Sequence, residues 1–409
     1  MEERIWQFSY AEGGVVAPSG FMTAGVSAGL KKTGKRDVCV VAASAAVPAA
    51  AVFTLNSMAA APVGVSRVHV ADGRARAIVC NSGNANACTG PQGVRDARAM
   101  VESAAASLGC EPSEVLVAST GVIGVPLPVD AVVAGIADAI DLLDNSSSAA
   151  DAAAEAIMTT DTFAKQVALS IDVDGARYTV GGMAKGSGMI MPNMATMLAF
   201  VTTDAPLNST ACDKALRAAV DATFNRITVD SDTSTNDMCS LMASGAAGGD
   251  EITQEDPRFA PVAAAVLEVC GELARLIVRD GEGASKFITV TVQGAANSSD
   301  AGEAAMSIAN SPLFKTAIFG GDANWGRVAM AVGKSSAAVD PERIEVVFAG
   351  ITVCKDGTGH LFDERAAAAA LAEPEIEVVV DLHLGEGTAT VWTCDLSHEY
   401  IRINGEYRT

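Results

Sequence analysis

"QVALSIDVDGARYTVGGMAKGSGMIMPNMATMLAFVTTD", residues 166–204, decides how the chain folds. Its first half alternates apolar and polar residues around Asp174-Gly175, the pattern of a hairpin with an Asp-Gly tip. Its last segment, "MLAFVTTD", reads as a central strand. Between Lys185 and Asp204 there is no other charge, and Pro192-Asn193 and Thr196 interrupt a run of Gly, Met and Ala. Two readings of Thr196 stand on the residues alone. One is packing. The other is a nucleophile, with the chain cut just before it. An N-terminal threonine carries its own base, because an α-amine titrates near ~7.7–8.0 and is partly neutral at physiological pH. The Thr196 hydroxyl would attack the Ala195 carbonyl to form an ester that water opens. The rigid Pro192-Asn193 break just upstream would strain the turn.

Outward from this segment, short strands alternate with Ala-rich helices. "DVCVVAA" reads as a buried strand, followed by a turn and a short helix before residue 66. "RVHVADGRARAIVCNSG" (67–83) reads as two strands joined at Asp72-Gly73, and "EVLVAST" (114–120) as a buried strand ending in the turn "GVIG". Helical spacing covers 94–108, 128–143, 211–224 and 261–279. The C-terminal part is strand-rich: "KFITVTVQ", "IEVVFAG", "EIEVVVDLHLG" and "TATVWTCDL". Several strands are hairpin-linked, no repeat is visible, and no Pro/Gly/Ser linker divides the chain. The class is therefore α+β, mixed β-sheets layered with α-helices.

The 409 residues suffice for a large core, and 49% are hydrophobic while only 5% are aromatic. A formal net charge of -21 argues against nucleic acid and anionic membranes as partners. The nine cysteines are odd in number and contain no Cys-x-x-Cys, so neither a disulfide framework nor a zinc site is expected and a reducing cytoplasm fits. "MEERIWQFSY" lacks the apolar stretch of a signal peptide. Residues 38–66 are uncharged but Ala-rich and broken by Pro48 and Pro62, and read as buried rather than as a membrane span.

Other motifs are weaker. "GVSAG" (25–29) matches a nucleophile elbow around Ser27, but its flanks read as turns. "GLKKTGKR" (29–36) resembles a phosphate loop, yet Arg36 stands where the metal-binding hydroxyl belongs. His69, His360, His383 and His398 sit in unrelated contexts, with His69 and His383 in apparent strands, and none has a partner at metal spacing. A hydroxyl nucleophile here therefore needs a base other than histidine.

"GGMAKGSGMIMPNMATMLAF" (181–200) resembles the cleavage-site segment of the ornithine acetyltransferase family, the glutamate N-acetyltransferases of cyclic arginine biosynthesis. "AGVSAGLKK", "CNSGNANACTG", "ASTGVIG", "MTTDTFAK", "DSDTSTNDM", "RDGEGASKFI", "GGDANWGR" and "YIRINGEYRT" follow that family's order along essentially the whole chain. Ala164 stands where the family usually has proline, which bears on the rigidity of that loop.

The resemblance implies a self-cleaved protein with an α chain of 1–195 and a β chain of 196–409, both forming one catalytic unit. It implies Thr196 as nucleophile and Thr120 and Gly121 as the oxyanion-hole pair. It implies substrate contacts from Thr162, Lys185, Thr196, Glu282, Asn404 and Thr409, with cleavage between Ala195 and Thr196. Lys185 suits a carboxylate and Glu282 an ammonium. Asn81, Asn84 and Asn86 are expected to shape the pocket. Tyr400, Ile401 and Ile403 are read as anchors of a strand, with Gly405 turning the last residues inward. The implied activity moves an acetyl group from N-acetylornithine to glutamate, with acetyl-coenzyme A as a donor in some relatives and no bound cofactor or metal. An α2β2 assembly is implied. The alternative is an amidase or aminopeptidase of the same self-cleaving architecture, with water as acceptor. A non-enzymatic small-molecule binder keeping the fold is a third reading, which the intact Thr120, Gly121, Lys185 and Thr196 set opposes.

Overall fold

A computed structural model of the chain describes residues 6–31, 34–191 and 197–406. Ala195, Thr196, Thr409 and the Pro192-Asn193 break lie outside the described residues. The fold is α+β, as its hairpins and interspersed helices predict, with two mixed sheets.

The first sheet is built from β1 (Ser9–Tyr10), β2 (Phe21–Val26), β3 (Val38–Phe53), β4 (Arg74–Asn84), β5 (Val115–Val122), β6 (Lys165–Val173), β7 (Ala176–Lys185) and β8 (Leu198–Thr203). The next strand, β9 (Ile227–Thr228), joins the second sheet, and β10 (Met238–Ala243) returns to the first. Its order is β1-β6-β7-β8-β10-β3-β4-β5, with β2 beside β3. Strand β8 runs antiparallel to β7 and parallel to β10, and all six of its residues are buried. That double-sided burial is why "MLAFVTTD" carries no charge before its final aspartate.

The second sheet adds β11 (Phe287–Ala295), β12 (Glu345–Phe348), β13 (Ile351–Lys355), β14 (Thr358–Gly359), β15 (Glu375–Asp381) and β16 (Gly387–Cys394). Helices α1 (Ala61–His69), α2 (Gly90–Leu108) and α3 (Val129–Asp141) lie on β3–β5, and α4 (Ser147–Ile157) packs where the two halves of the first sheet meet. Helices α5 (Ser209–Ala222) and α6 (Phe259–Arg279) cover β6, β7, β8 and β10. In α6, Val262, Val266, Val269, Leu273 and Ile277 recur at helical spacing and form its buried stripe. Asn208 starts α5 by accepting the Ala211 N–H at 2.8 Å. The second sheet packs on α7 (Ser298–Ala309), α8 (Pro312–Phe319), α9 (Trp325–Gly333) and α10 (Glu364–Ala370).

Five sequence expectations are corrected. The strand beginning at Val38 does not turn after "DVCVVAA" but continues to Phe53. It exchanges neighbours on the way, because residues 38–43 lie between β2 and β4 while 49–53 pair with β10. A register shift between Ala42 and Val47 allows this, and the ladder with β4 ends at Pro48, where a missing N–H is tolerated. Residues 67–69, with His69, end α1 instead of forming a strand, and His383 follows β15 at φ 51°. A strand, β2, does precede Ser27, but among the described residues no helix follows it before β3. The C-terminal stretch with Tyr400, Ile401 and Ile403 forms a helix, α11 (His398–Glu406), rather than a strand, and Gly405 lies within it.

One buried polar cluster ties these elements together. Lys165 has no solvent exposure and donates to Asp161 at 2.7 Å and to Asp280, the residue ending α6, at 2.5 Å. Asp161 also accepts the N–H of Thr159 at 2.9 Å and of Gly186 at 2.7 Å, just past β7. Asp280 accepts the Thr162 N–H at 3.0 Å and the Thr162 hydroxyl. The loop with Ala164 in place of proline is thus held by side-chain hydrogen bonds. Burial pushes the Asp161 carboxyl up, but Lys185, Lys165 and its hydrogen bonds outweigh this and hold it at about 2. An aspartate titrates near ~3.9 when unfolded, so this group's contribution to stability is complete above that value and is lost as pH falls through about 2. Lys165→Met should cost about 3–5 kcal/mol at neutral pH by leaving the buried Asp280 carboxylate without its cation and Asp161 with Lys185 alone acting on it. Urea unfolding should show the difference from wild type shrinking as the pH falls through that window.

Candidate active site

Strands β5, β7 and β8 end around a small cavity of about 240 Å³. Thr120 and Gly121 line it from β5, Lys185 from the end of β7, and Met197 and Leu198 from the start of β8. The chain therefore enters the cavity wall immediately after residue 196. The segment 230–237 supplies the opposite wall, and Glu282, Tyr400 and Asn404 complete it.

The conformation at Gly121 is open only to glycine. Its φ is 131°, and a Cβ there would lie 2.4 Å from the Gly83 carbonyl carbon and 2.5 Å from the Asn84 nitrogen. A register shift at Gly83 and Asn84 in the β4–β5 ladder brings the two backbones this close. Asn81 and Asn84 fix the bulge: Asn81 Nδ2 donates to the Asn84 carbonyl at 2.9 Å, and Asn81 Oδ1 accepts from Ser119 Oγ at 2.6 Å. Asn81, Asn84 and Asn86, expected to shape the pocket, do not line the cavity; they hold the strand ends behind it. Asn236 does line it. It donates to the carbonyls of Ala85 at 2.6 Å and Ser119 at 2.8 Å, anchoring the residue before Thr120.

Lys185 is buried, donates to Thr120 Oγ1 at 3.3 Å, and forms no ion pair among the described residues. The ammonium thereby fills an acceptor position of the Thr120 hydroxyl, leaving the hydroxyl proton free to point elsewhere. Glu282 is a buried carboxylate without a cationic partner among the described residues, and accepts from Asn404 Nδ2 at 2.7 Å. Gly188 leaves room for it, since a Cβ there would come within 2.4 Å of the carboxylate carbon. Buried charges are costly unless matched, so a cavity with an unpaired ammonium and an unpaired carboxylate suits a ligand carrying both signs. Thr162 stands apart: it is exposed, is bound to Asp280, and does not line the cavity.

The residues missed in the sequence are Asp230, Asn236, Asp237 and the packing role of Tyr400. Asp230 accepts the N–H groups of Met189 at 2.6 Å and Ile190 at 2.8 Å, and the Tyr400 hydroxyl at 3.3 Å. Burial and then Asp230 and Glu282 push the Tyr400 phenol well above its ordinary range, so it stays neutral and donates. Only the order of "DSDTSTNDM" among the other motifs signalled this wall. Among the described residues, no group of three or more His, Cys, Asp or Glu could hold a metal ion, and no helix is long and apolar enough to cross a membrane.

Gly121→Ala should force φ strain and a backbone clash together, costing about 1–3 kcal/mol in urea unfolding. Gly124→Ala, where a Cβ meets open space at φ 78°, should cost less and separates the clash from strain alone.

The ArgJ family model matches residues 22–409. The arginine biosynthesis bifunctional protein ArgJ of Symbiobacterium thermophilum is 51% identical over 399 residues, 97% of this chain and 99% of the relative. That of Geobacter sulfurreducens is 49% identical over 391 residues, 95% of this chain and 99% of the relative. The crystal structure of the arginine biosynthesis bifunctional protein argJ from Bacillus halodurans aligns at 47% identity with a TM-score of 0.50, covering 51% of this chain and 98% of that one. With agreement running through nearly the whole length, the chain belongs to the ArgJ family.

Proposed function

We propose that this protein is the glutamate N-acetyltransferase of arginine biosynthesis, moving the acetyl group of N-acetylornithine to glutamate through an acetyl-Thr196 enzyme. The observation that carries the chemistry is the 3.3 Å hydrogen bond from Lys185 to Thr120 Oγ1. A threonine hydroxyl whose oxygen is already engaged by an ammonium is poised as a donor. Beside the Gly121 N–H it suits a developing oxyanion, and the nearby positive charge strengthens it. In this reading the Thr196 α-amine takes the hydroxyl proton, Oγ attacks the acetyl carbonyl, ornithine leaves, and glutamate removes the acetyl group. Lys185 meets a substrate carboxylate with its remaining donors, and Glu282, steadied by Asn404, meets an ammonium. Thr162 contributes through Asp280, and Thr409 is a further substrate contact in this reading.

The same reading divides the chain into an α chain of 1–195 and a β chain of 196–409, paired as α2β2. The share of this chain spanned by the Bacillus halodurans structure, 51%, supports a division near the middle. Acetyl-coenzyme A serves as a second donor, which the word bifunctional in the relatives' names supports. The cavity is lined by polar side chains together with Ile123, Met189, Met197 and Leu198, and the proposed reaction needs no resident cofactor. The protein works in the cytoplasm.

Purified protein should run as two fragments, the second beginning Thr-Met-Leu-Ala-Phe on N-terminal sequencing. With N-acetylornithine and no glutamate, mass spectrometry should find one acetyl group on that fragment, and glutamate should remove it as N-acetylglutamate. An acetyl label on Ser27 or a cysteine would refute the nucleophile assignment; release of free acetate instead of transfer would favour the amidase. Thr120→Val should lower kcat by roughly 10²- to 10³-fold with cutting intact, as expected for the loss of one oxyanion donor.

A further inference from the structure

Asp237 lines the cavity yet is 2% exposed, and its Oδ2 has no hydrogen-bond partner among the described residues. A buried carboxylate oxygen without a donor is costly; a neutral carboxyl is far less so. The register brings it close to the reacting end of β8: Met238 pairs with Leu198, and the Met238 N–H donates to the Met197 carbonyl at 3.0 Å. Burial pushes the Asp237 carboxyl well above the usual carboxylate range, and the Ser234 and Thr54 hydroxyls and Lys185 only partly oppose this. The charged and titratable groups facing the cavity are Lys185 from β7, Asp230 and Asp232 after β9, Glu282 after α6, and Tyr400 from α11. Of these, Lys185 alone is felt at Asp237.

The proposed reaction has a proton problem that one base does not solve. Thr196 moves a single proton, from its hydroxyl to its α-amine and on to the departing nitrogen. That suffices to release ornithine with a neutral amine. Yet ornithine ends as an ammonium, and glutamate arrives as one, which is not a nucleophile until it loses a proton.

Resting on that functional reading, we propose that Asp237 is a second catalytic acid–base group that protonates the departing amine and deprotonates the incoming one. In the first half-reaction the C–N bond breaks and its electron pair stays on nitrogen. The nitrogen takes one proton from the Thr196 α-ammonium and a second from the Asp237 carboxyl, leaving Asp237 as a carboxylate. In the second half, the glutamate ammonium gives one proton to that carboxylate. Its freed lone pair attacks the acetyl carbonyl. A further nitrogen proton passes through the Thr196 α-amine to Oγ as the ester C–O bond breaks. Asp237 finishes protonated, as it began, and burial favours that return.

The test is how the acetyl-enzyme partitions between two acceptors offered together, glutamate and hydroxylamine. Hydroxylamine is unprotonated at neutral pH and needs no second base. Asp237→Asn should shift the partition toward hydroxylamine by about 10²-fold, the scale of general base catalysis. The shift should shrink by about tenfold per pH unit toward the amine pKa of glutamate, where solvent supplies the base. An unchanged partition, or a shift that ignores pH, would overturn the assignment, because a merely structural role would slow both acceptors alike. Should Asp237→Asn fail to fold, the wild-type partition decides. It should stay nearly flat from neutral to mildly alkaline pH, and a tenfold rise per unit for glutamate would show that no internal base acts. Wild type that forms no acetyl-enzyme from N-acetylornithine would overturn the proposed function and this inference with it, whereas an unmoved partition in a working enzyme overturns this inference alone.

Discussion

The pairing of one buried lysine with two aspartates holds three of the walls around the cavity. Lys165 is fully enclosed, and Asp161 and Asp280 come to it from different parts of the chain. Those carboxylates also hold the loop at 159–162 and the backbone just after β7, while Asp280 closes α6 two residues before Glu282. Three walls of the cavity therefore hang on one cation. A cluster of this kind is a poor source of stability compared with apolar packing, but it is directional. It sets where Lys185 and Glu282 stand, which a core of Ala and Val cannot do.

The cavity carries charges that the protein leaves unmatched. A chain with a net charge of -21 keeps a buried ammonium at Lys185 free of ion pairs among its described residues, and keeps Glu282 free of cations in the same sense. Their hydrogen-bond partners among the described residues, Thr120 and Asn404, are neutral. Such partners orient a charged group without neutralising it, so its field stays available to a ligand. Asp161 differs: two lysines act on it, and it is held ionised at about 2. The contrast between a satisfied carboxylate behind the wall and unsatisfied groups on its surface separates scaffold from site.

Much of this was legible in the sequence. The Asp174-Gly175 hairpin and the uncharged strand β8 follow from local patterns, and the amphipathic stripe of α6 from its spacing. The strand through Pro48 was not, because an Ala-rich run exchanging neighbours in mid-course has no periodicity of its own; its pairing is tertiary. The tail misled for a related reason: Tyr400 and Ile401 suit a strand locally, but the Tyr400 hydroxyl to Asp230 and Asn404 to Glu282 hold a helix across the cavity. Lys185, Thr120 and Gly121 were picked out through resemblance, while spacing alone left them an ordinary hairpin end and turn. Asn236 and Asp237 sit in a hydrophilic stretch that reads as loop, and their burial comes from β10 lying between β8 and β3.

That last arrangement bears on how such a molecule could ever be made. Residues before 196 supply β7 and β3; residues after it supply β8 and β10, which sit as an inserted pair in the middle of the same sheet. A break at 195–196 would leave two polypeptides threaded through each other's hydrogen bonding in the first sheet, with only the second sheet belonging wholly to one of them. The first would expose two raw edges where its centre had been. The uncut chain must then carry the instructions for assembly, and the severed form can only inherit them. Once unravelled, the two pieces would have to find each other again at a concentration the tether no longer sets.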